Sequence, residues 1–406
     1  MKPLIHTLDN GIRVVHLPLN SMVVHCGLII GTGSGSEKSN EHGLAHFTEH
    51  MFFKGTKSRK SYHILSRLED VGGELNAYTT KEETVVHASV LAPHFERALE
   101  LIHDIVFNST FPPHEIEKEK EVVIEEIKSY RDNPSELIFD DFEEIVFRNH
   151  PIGRNILGTP EAVKEFRKSN IDNFIRNNYS TSRMVFCSAG KTEPGKVIKL
   201  ASKYLGTVPA RSISKSSSPF NGCSGVSVTR NLGTWQTHCI IGNVAYNIYD
   251  KKRLGMYMLN NILGGQGLNS RLNLSLREKN GFAYNVESVY NPYTETGVFS
   301  IYFGTDKECL DKSIAITRRE LKKLKENRLG TLQLSKAKNQ IKGYLARGYE
   351  HHENLMLSMG KSLLVFDKIE SLEEVCRKID SITASELLET ANEVFDNDRI
   401  SMLIYK

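Results

Sequence analysis

The sequence predicts an α+β protein of two homologous domains, each a mostly antiparallel β-sheet covered by α-helices. Three observations lead to this prediction. At 406 residues, the chain is too long for a single hydrophobic core. Strand-like runs lie near both ends of each half, with helix patterns between them. The closing strands of the two halves are similar, and Arg183 and Arg399 occupy matching places in them, 216 positions apart.

Composition marks the boundary between the halves. The stretch from Val208 to Ser227 is poor in large apolar side chains and rich in Ser, Gly and Pro, which is typical of a linker. We therefore predict an N-terminal domain over residues 1–210, an interdomain linker over residues 211–222 and a C-terminal domain over residues 223–406.

The first half begins with a predicted strand and a turn at Asn10-Gly11. The next strand-like run, VVHCGLIIGTG, starts at Val23. The segment GTGSGSEKS, Gly31 to Ser39, has neither the spacing of a dinucleotide loop nor a P-loop lysine, so we interpret it as a flexible turn. A helix pattern, alternating strand residues and long charged helices follow. The half closes on SRMVFCSAGK, which starts at Ser182.

The second half repeats this order of elements. It opens with the strand-like run THCIIGNVAY from Thr237 and closes with DRISMLIYK from Asp398. The halves are not copies, because the second has no counterpart of a pair of histidines in the first.

Composition and charge exclude several function classes. The chain is 39% hydrophobic and 25% charged, as in ordinary globular proteins, and its net charge is +3. We find no basic stripe, so nucleic acid is not an expected partner. No apolar run approaches the roughly eighteen residues of a membrane span, and the N-terminus lacks the sections of a signal peptide. We therefore expect a cytoplasmic protein.

The six cysteines are scattered and include no C-x-x-C pair. Three of them lie in apolar, strand-like runs, where a buried thiol is the usual outcome: Cys26, Cys187 and Cys239. The pattern predicts neither a disulfide framework nor a cysteine zinc site.

The segment GLAHFTEHMFFKGT places His46, Glu49 and His50 on one face of a predicted helix. An apolar set lies within a sector of about 60° on another face: Leu44, Phe47 and Met51. Neutral imidazoles one turn apart suit Zn²⁺, and the carboxylate between them suits a general base. The alternative is an ordinary amphipathic helix whose histidines lie at the surface or are satisfied in the core.

Zinc requires a third protein ligand, and a helix over Ile116 to Pro134 offers candidates. One stripe of this helix contains two carboxylates among apolar side chains: Glu119, Val122, Val123, Glu126 and Tyr130. Unpaired burial would cost several kcal/mol per carboxylate, whereas a metal and its imidazoles would stabilise them. A charged surface helix with a blurred stripe is the alternative.

These residues resemble the M16 metallopeptidases, the insulinase, pitrilysin and mitochondrial-processing-peptidase family. The inverted motif H-x-x-E-H of that family matches His46 to His50 and implies that Glu49 is the general base. The third ligand of the family, 76 positions after the second histidine, corresponds to Glu126. A glutamate seven positions earlier, here Glu119, is expected to orient a ligand histidine.

Two further segments carry the resemblance. In VGGELNAYTT, Asn76 and Ala77 match a G-x-x-N-A-x-T edge strand that pairs with substrate backbone in the family. From the residues alone, Tyr78 to Val90 reads as an ordinary strand after a Gly-Gly turn. In SRLNLSLREKNGFAY, Arg277 and Tyr284 match the pair that grips substrate and stabilises the oxyanion.

The resemblance covers nearly the whole chain and implies a zinc endopeptidase or oligopeptidase with one Zn²⁺ per chain. Relatives of this length pair to enclose a chamber that admits unfolded peptides. One chain here carries both the metal motif and the Arg277–Tyr284 pair, which favours a homodimer with sites completed in trans. The alternatives are a non-catalytic scaffold like the respiratory-complex core proteins and a processing peptidase that requires a different second subunit.

Overall fold

A computed structural model gives the structure of the chain and describes residues 2–213, 220, 222 and 224–406. Most of the predicted linker, residues 211–222, lies outside this range, as does Cys223. Eleven strands occur in the described residues: β1 (Leu4–Thr7), β2 (Arg13–Pro18), β3 (Val23–Ile30), β4 (Glu74–Thr79), β5 (Thr84–Leu91), β6 (Met184–Gly190), β7 (Ser227–Arg230), β8 (Thr237–Ala245), β9 (Ala283–Pro292), β10 (Gly297–Thr305) and β11 (Ser401–Tyr405).

The same range contains fourteen α-helices: α1 (Leu44–Met51), α2 (Ser61–Glu69), α3 (Phe95–Phe107), α4 (Pro113–Arg131), α5 (Pro134–Val146), α6 (Pro160–Glu165), α7 (Lys168–Asn178), α8 (Pro194–Tyr204), α9 (Arg253–Gly264), α10 (Leu310–Glu326), α11 (Thr331–Tyr349), α12 (His352–Phe366), α13 (Leu372–Ser381) and α14 (Ala384–Val394). None of these helices combines the length and apolar character that a membrane span requires.

Six strands form the first sheet, in the order β1-β2-β6-β3-β5-β4. All neighbours are antiparallel except β2 and β6. The stretch from Tyr78 to Val90, predicted as one strand, contains two, because residues 80–83 form a turn in which the N–H of Thr80 donates to the carbonyl of Glu83. Strand β4 is an edge, and no described strand lies beyond it.

Five strands form the second sheet, in the order β7-β11-β8-β10-β9, and only β7 and β11 are parallel. Strand by strand this order repeats β2-β6-β3-β5-β4 of the first sheet. The predicted closing strands of the two halves, β6 and β11, occupy equivalent interior positions. The predicted fold class, two related α+β domains with mostly antiparallel sheets, is confirmed.

The chain packs into two compact units that are discontinuous in sequence. The first unit contains Met1–Lys128, Arg154–Lys215 and Arg347–Glu370, and the second contains Ser129–Gly153, Ser216–Ala346 and Ser371–Lys406. The units therefore differ from the continuous ranges 1–210 and 223–406 predicted from the sequence. Helix α5 belongs to the second unit although it lies in the first half of the chain, and α12 belongs to the first unit although it lies in the second half.

Complementary apolar surfaces explain this exchange of helices. In the second unit, Phe142 of α5 packs in one buried cluster with Ile240 of β8 and Leu403 of β11. In the first unit, α12 packs on β3 and β6. A Cβ at Gly360 would lie 2.6 Å from Cδ1 of Ile29, so the absence of a side chain there lets α12 approach the sheet closely.

The other face of the first sheet supports α1. The predicted apolar stripe of this helix is confirmed, because three of its side chains are fully buried: Leu44, Phe47 and Met51. They belong to a buried apolar cluster of the first unit, which we call the main core. Burial of each stabilises the fold by roughly 1.5–3 kcal/mol. The helix begins after Gly43, whose φ is +92° and whose Cβ, if present, would lie 2.6 Å from the carbonyl oxygen of Leu157. Glycine is required at this position.

The cysteines agree with the expectation of buried thiols. Five of them lie in the described residues, and none of these five forms a disulfide. Three are fully buried on strands of the two sheets, as predicted: Cys26, Cys187 and Cys239.

Candidate metal centre

Two helices of the first unit bring three potential metal ligands together. Helix α1 contributes His46 and His50, and α4 contributes Glu126. One ligand atom from each residue lies within 4.8 Å of the other two. Nε2 of His46 is 3.7 Å from Oε1 of Glu126, and Nε2 of His50 is 3.6 Å from Oε2. Among the described residues, no other such group of His, Cys, Asp and Glu side chains occurs.

The three side chains fit a tetrahedral zinc site. Metal–ligand bonds of about 2.0–2.1 Å at tetrahedral angles place neighbouring ligand atoms about 3.3 Å apart. The nitrogen–oxygen separations of 3.6 and 3.7 Å are close to this value and too long for direct hydrogen bonds. Two imidazoles and one carboxylate also form a donor set that zinc uses in catalytic sites.

A second carboxylate on α4 contacts one of the histidines. His50 Nδ1 donates to Oε1 of Glu119 at 2.8 Å, which leaves Nε2 directed towards Glu126. Lys54 Nζ pairs with Oε2 of the same carboxylate at 2.5 Å. Glu119 therefore contacts a candidate ligand histidine, and its orienting role stays a prediction. Sequence reasoning missed Lys54, although it lies four residues after His50, one turn along the same segment.

Burial and nearby charges set the protonation of these groups. Burial, with a smaller contribution from neighbouring His50, lowers the pKa of His46 to about 3, so this imidazole is neutral and has a free lone pair. Burial opposes protonation of His50 too, but its hydrogen bond to Glu119 and the surrounding carboxylates raise its pKa. Burial alone would raise the pKa of Glu119, and its bonds to His50 and Lys54 lower it instead.

Glu49, between the two histidines, is 7% exposed and lies beside β4. The hydroxyl of Thr79, the last residue of β4, donates to its Oε2 at 2.8 Å. Burial raises the pKa of Glu49, while the Thr79 hydrogen bond and the nearby His50 act in the opposite direction. Sequence analysis assigned no role to Thr79, although it is the final residue of the G-x-x-N-A-x-T pattern.

The segment before α1, interpreted from sequence as a flexible turn, is packed and holds the start of the helix. The amides of Gly43 and Ala45 donate to the two carboxylate oxygens of Glu37, at 3.0 and 2.8 Å. A guanidinium N–H of Arg154 donates to the backbone carbonyl of Glu37 at 3.0 Å. Burial raises the pKa of the Glu37 carboxyl to about 8. Sequence reasoning missed this contact, which no local pattern predicts.

Strand β4 places the predicted substrate-binding residues at the edge of the sheet, in contact with α1. Ala77 packs against the main core. The Asn76 side chain lies on the opposite face of the strand, where its amide donates to Glu74 at 2.7 Å. The structure therefore places the edge strand beside the helix of the candidate metal centre.

The predicted Arg277 and Tyr284 lie together in the second unit. The guanidinium carbon of Arg277 is 5.0 Å from the centre of the Tyr284 ring, a cation–π arrangement. Tyr284 is 80% exposed at the start of the edge strand β9. A π-helical segment, Asn273–Glu278, carries Arg277.

One part of the predicted stripe on α4 is wrong. Val123 is fully buried and Glu119 is nearly so, but Val122 is 51% exposed. Adjacent residues point about 100° apart around a helix, so Val123 faces the buried side while Val122 lies beyond its edge. The Glu126 side chain is itself 42% exposed.

Comparison with known sequences matches both halves of the chain to described families. Residues 14–160 match the profile of the insulinase family, peptidase family M16, and residues 166–341 match the M16 inactive domain. The chain is 33% identical over 403 residues to the Bacillus subtilis protein called uncharacterized zinc protease YmxG, across 98% of this chain and 97% of that one. A Rickettsia bellii protein also called an uncharacterized zinc protease is 34% identical over 400 residues, covering 98% and 96%.

Solved structures share the fold along its full length. A protease from Helicobacter pylori superposes with a TM-score of 0.93 at 22% identity, over 100% of this chain and 99% of that one. A Pseudomonas fluorescens structure described as a peptidase M16 inactive domain gives a TM-score of 0.92 at 18% identity, over 100% and 98%. These likenesses establish the two-domain architecture.

Proposed function

The chain belongs to the insulinase family, peptidase family M16, and on this premise we propose that it is a zinc-dependent endopeptidase or oligopeptidase that cleaves unfolded peptides. One observation carries the proposal. The buried residue Glu49 lies on α1 between His46 and His50 in the sequence, and these two histidines form a compact ligand group with Glu126. A scaffold protein has no need for buried ionisable groups in this arrangement.

In this proposal His46, His50 and Glu126 hold one Zn²⁺ per chain, and Glu119 and Lys54 fix the orientation of His50. When bound, zinc acts as a Lewis acid that polarises a carbonyl and makes water more acidic. The single ligand group in the described residues supports a stoichiometry of one.

Glu49 acts as the general base and then as the general acid. Its carboxylate accepts the proton of water during attack on the peptide carbonyl and passes it to the departing amine. Burial favours this exchange, because it raises the pKa of the carboxyl and brings it closer to neutral pH. The Thr79 hydrogen bond holds one oxygen, so the other oxygen is available for the proton.

The edge strand of one chain and the Arg277–Tyr284 pair of its partner position the substrate. A peptide that adds to β4 is bound through main-chain hydrogen bonds, with little dependence on its side chains. Ala77 contributes backbone groups, and the Asn76 side chain reaches a substrate carbonyl. Arg277 and Tyr284 grip the peptide and donate to the oxygen on which negative charge develops.

We further propose a homodimer in which the Arg277–Tyr284 pair of one chain completes the site of the other inside a closed chamber, with the cytoplasm as its location. The presence of both the ligand group and this pair in a single chain supports a dimer of identical subunits. A chamber suits unfolded chains, since folded proteins are too wide to enter.

Replacement of the general base tests the proposed function. We expect Glu49→Gln to bind one zinc per chain and to lose at least a hundredfold in the cleavage rate of unstructured peptides, because the amide cannot accept the proton. Zinc content and peptide cleavage by the purified chain are measured together. Glu125→Gln, an exposed change on α4, is the control and should behave as the wild type.

The result also separates the alternatives. Normal turnover by Glu49→Gln would refute the assigned base. A wild-type chain that binds zinc but cleaves nothing by itself would indicate a scaffold, unless a second, different subunit restores cleavage, which would indicate a processing peptidase. Mass spectrometry of products from a diverse peptide library would then define the cleavage preference.

A further inference from the structure

We propose that Thr79 is a positioning residue that couples the binding of a peptide to β4 to the orientation of the Glu49 carboxylate. This inference rests on the proposed peptidase function and concerns how the same site uses its edge strand. Thr79 links the two elements involved, because it ends β4 and its hydroxyl donates to Glu49.

The register of β4 and β5 shows which backbone groups face outwards. In the turn, the N–H of Thr80 donates to the carbonyl of Glu83. Neighbouring pairs in an antiparallel ladder alternate between bonded and non-bonded, so the next pair, Thr79 and Thr84, is non-bonded. The N–H and C=O of Thr79 therefore point away from β5, as do those of Ala77. These residues present their backbone groups at the open edge, where an added strand binds.

The side chain of Thr79 points in a different direction from these backbone groups. It lies on the same face of the strand as Leu75 and Ala77, which pack against the main core. From there its Oγ1 donates to Oε2 of Glu49 at 2.8 Å. One residue thus contacts the incoming peptide through its backbone and the general base through its side chain.

The stiffness of threonine makes this link effective. Branching at Cβ restricts χ1, so the hydroxyl moves with the backbone of the strand. The Glu49 side chain has more rotatable bonds and requires an external contact to fix its carboxylate. When a peptide pairs with β4 and fixes the backbone of Thr79, the hydroxyl fixes the base in its working orientation.

The test is Thr79→Val, which replaces the hydroxyl by a methyl group and keeps branching at Cβ. Loss of a hydrogen bond to a charged group predicts a decrease in kcat of roughly 10- to 100-fold. We expect KM and zinc content to stay within twofold of the wild type. Thr79→Ser, which keeps the hydroxyl but not the branch at Cβ, should recover part of kcat. Peptide affinity, measured in a Glu49→Gln background, should not change with Thr79→Val.

Thr84→Val is the matched control. Thr84 lies directly opposite Thr79 on β5, and its hydroxyl donates to the backbone carbonyl of Thr32 at 2.9 Å. This variant loses a buried hydrogen bond that does not involve Glu49. It should therefore lower the melting temperature and leave kcat at the wild-type value.

Several outcomes would overturn the inference. Wild-type kcat in Thr79→Val would show that the hydroxyl has no role in turnover. An increase in KM alone would assign Thr79 to peptide binding, and loss of zinc would assign it to the metal centre. If Thr79→Val does not fold, Thr79→Ala provides the same comparisons. A wild-type chain that binds zinc but cleaves no peptide would refute the proposed function, and this inference with it.

Discussion

Glu119→Gln should weaken zinc binding by about 10- to 100-fold while the chain stays folded. Glutamine has nearly the same volume, and its amide oxygen can still accept from His50 Nδ1. It has no charge, however, so the 2.8 Å bond to His50 becomes a neutral one, and Lys54 loses its ion pair. The histidine is then a weaker and less well oriented ligand.

The structure supports a substantial magnitude for this effect. The Glu119 side chain is 4% exposed, so water screens its charge very little. Hydrogen bonds to charged groups contribute about 1.5–3 kcal/mol, and each 1.4 kcal/mol corresponds to a factor of ten in affinity. Loss of negative charge beside a divalent cation acts in the same direction.

Competition with a chromophoric chelator at neutral pH measures the zinc affinity of each variant. Glu125→Gln is the control on the same helix, since Glu125 is exposed and pairs with Lys128 at 2.6 Å. A Glu119→Gln protein with wild-type zinc affinity and an unchanged melting temperature would refute the orienting role of Glu119.

Two further predictions concern the start of α1 and the dimer. Burial raises the pKa of Glu37 to about 8, so the folded state keeps a proton that the unfolded chain releases near pH 4.5. As the pH rises between these two values, this group therefore lowers the free energy of unfolding, by at most about 1.4 kcal/mol per pH unit. Denaturant unfolding measures the free energy of unfolding at pH 6 and at pH 8. The decrease between the two pH values should be about 2 kcal/mol smaller in Glu37→Gln than in the wild type. An identical decrease would contradict the raised pKa of Glu37. Mixing inactive Glu49→Gln with inactive Tyr284→Phe should restore part of the activity if sites form across the dimer, whereas no recovery in proven heterodimers would place both residues in one chain's site.

Much of the fold was predictable because it follows from local patterns. The apolar period of α1 predicted which side chains it buries, and the strand-like runs at Val23 and Thr237 predicted two of the central strands. The exchange of α5 and α12 between units was not predictable. It depends on the fit of a helix surface to a distant sheet, as at Gly360 and Ile29, and nothing in the local sequence reports that fit.

The candidate site likewise has residues that were predictable from the sequence and residues that were not. The stripe of the charged helix offered Glu119 and Glu126 as candidates, the family resemblance assigned their roles, and the structure places both beside the histidines. It did not lead to Thr79, Lys54 or Glu37, whose roles arise from contacts with residues on other elements or turns. A threonine or lysine is common in any sequence, so its type alone predicts no partner.

The sequence by itself determined that His46, Glu49 and His50 share one face, since helical geometry fixes the directions of side chains three and four positions apart. Only the tertiary structure decided that Glu119 meets His50 across 69 positions and that Thr79 meets Glu49 across 30. Such contacts depend on how helices and sheets bury their apolar surfaces together. That burial is a property of the whole domain, so local spacing cannot encode it.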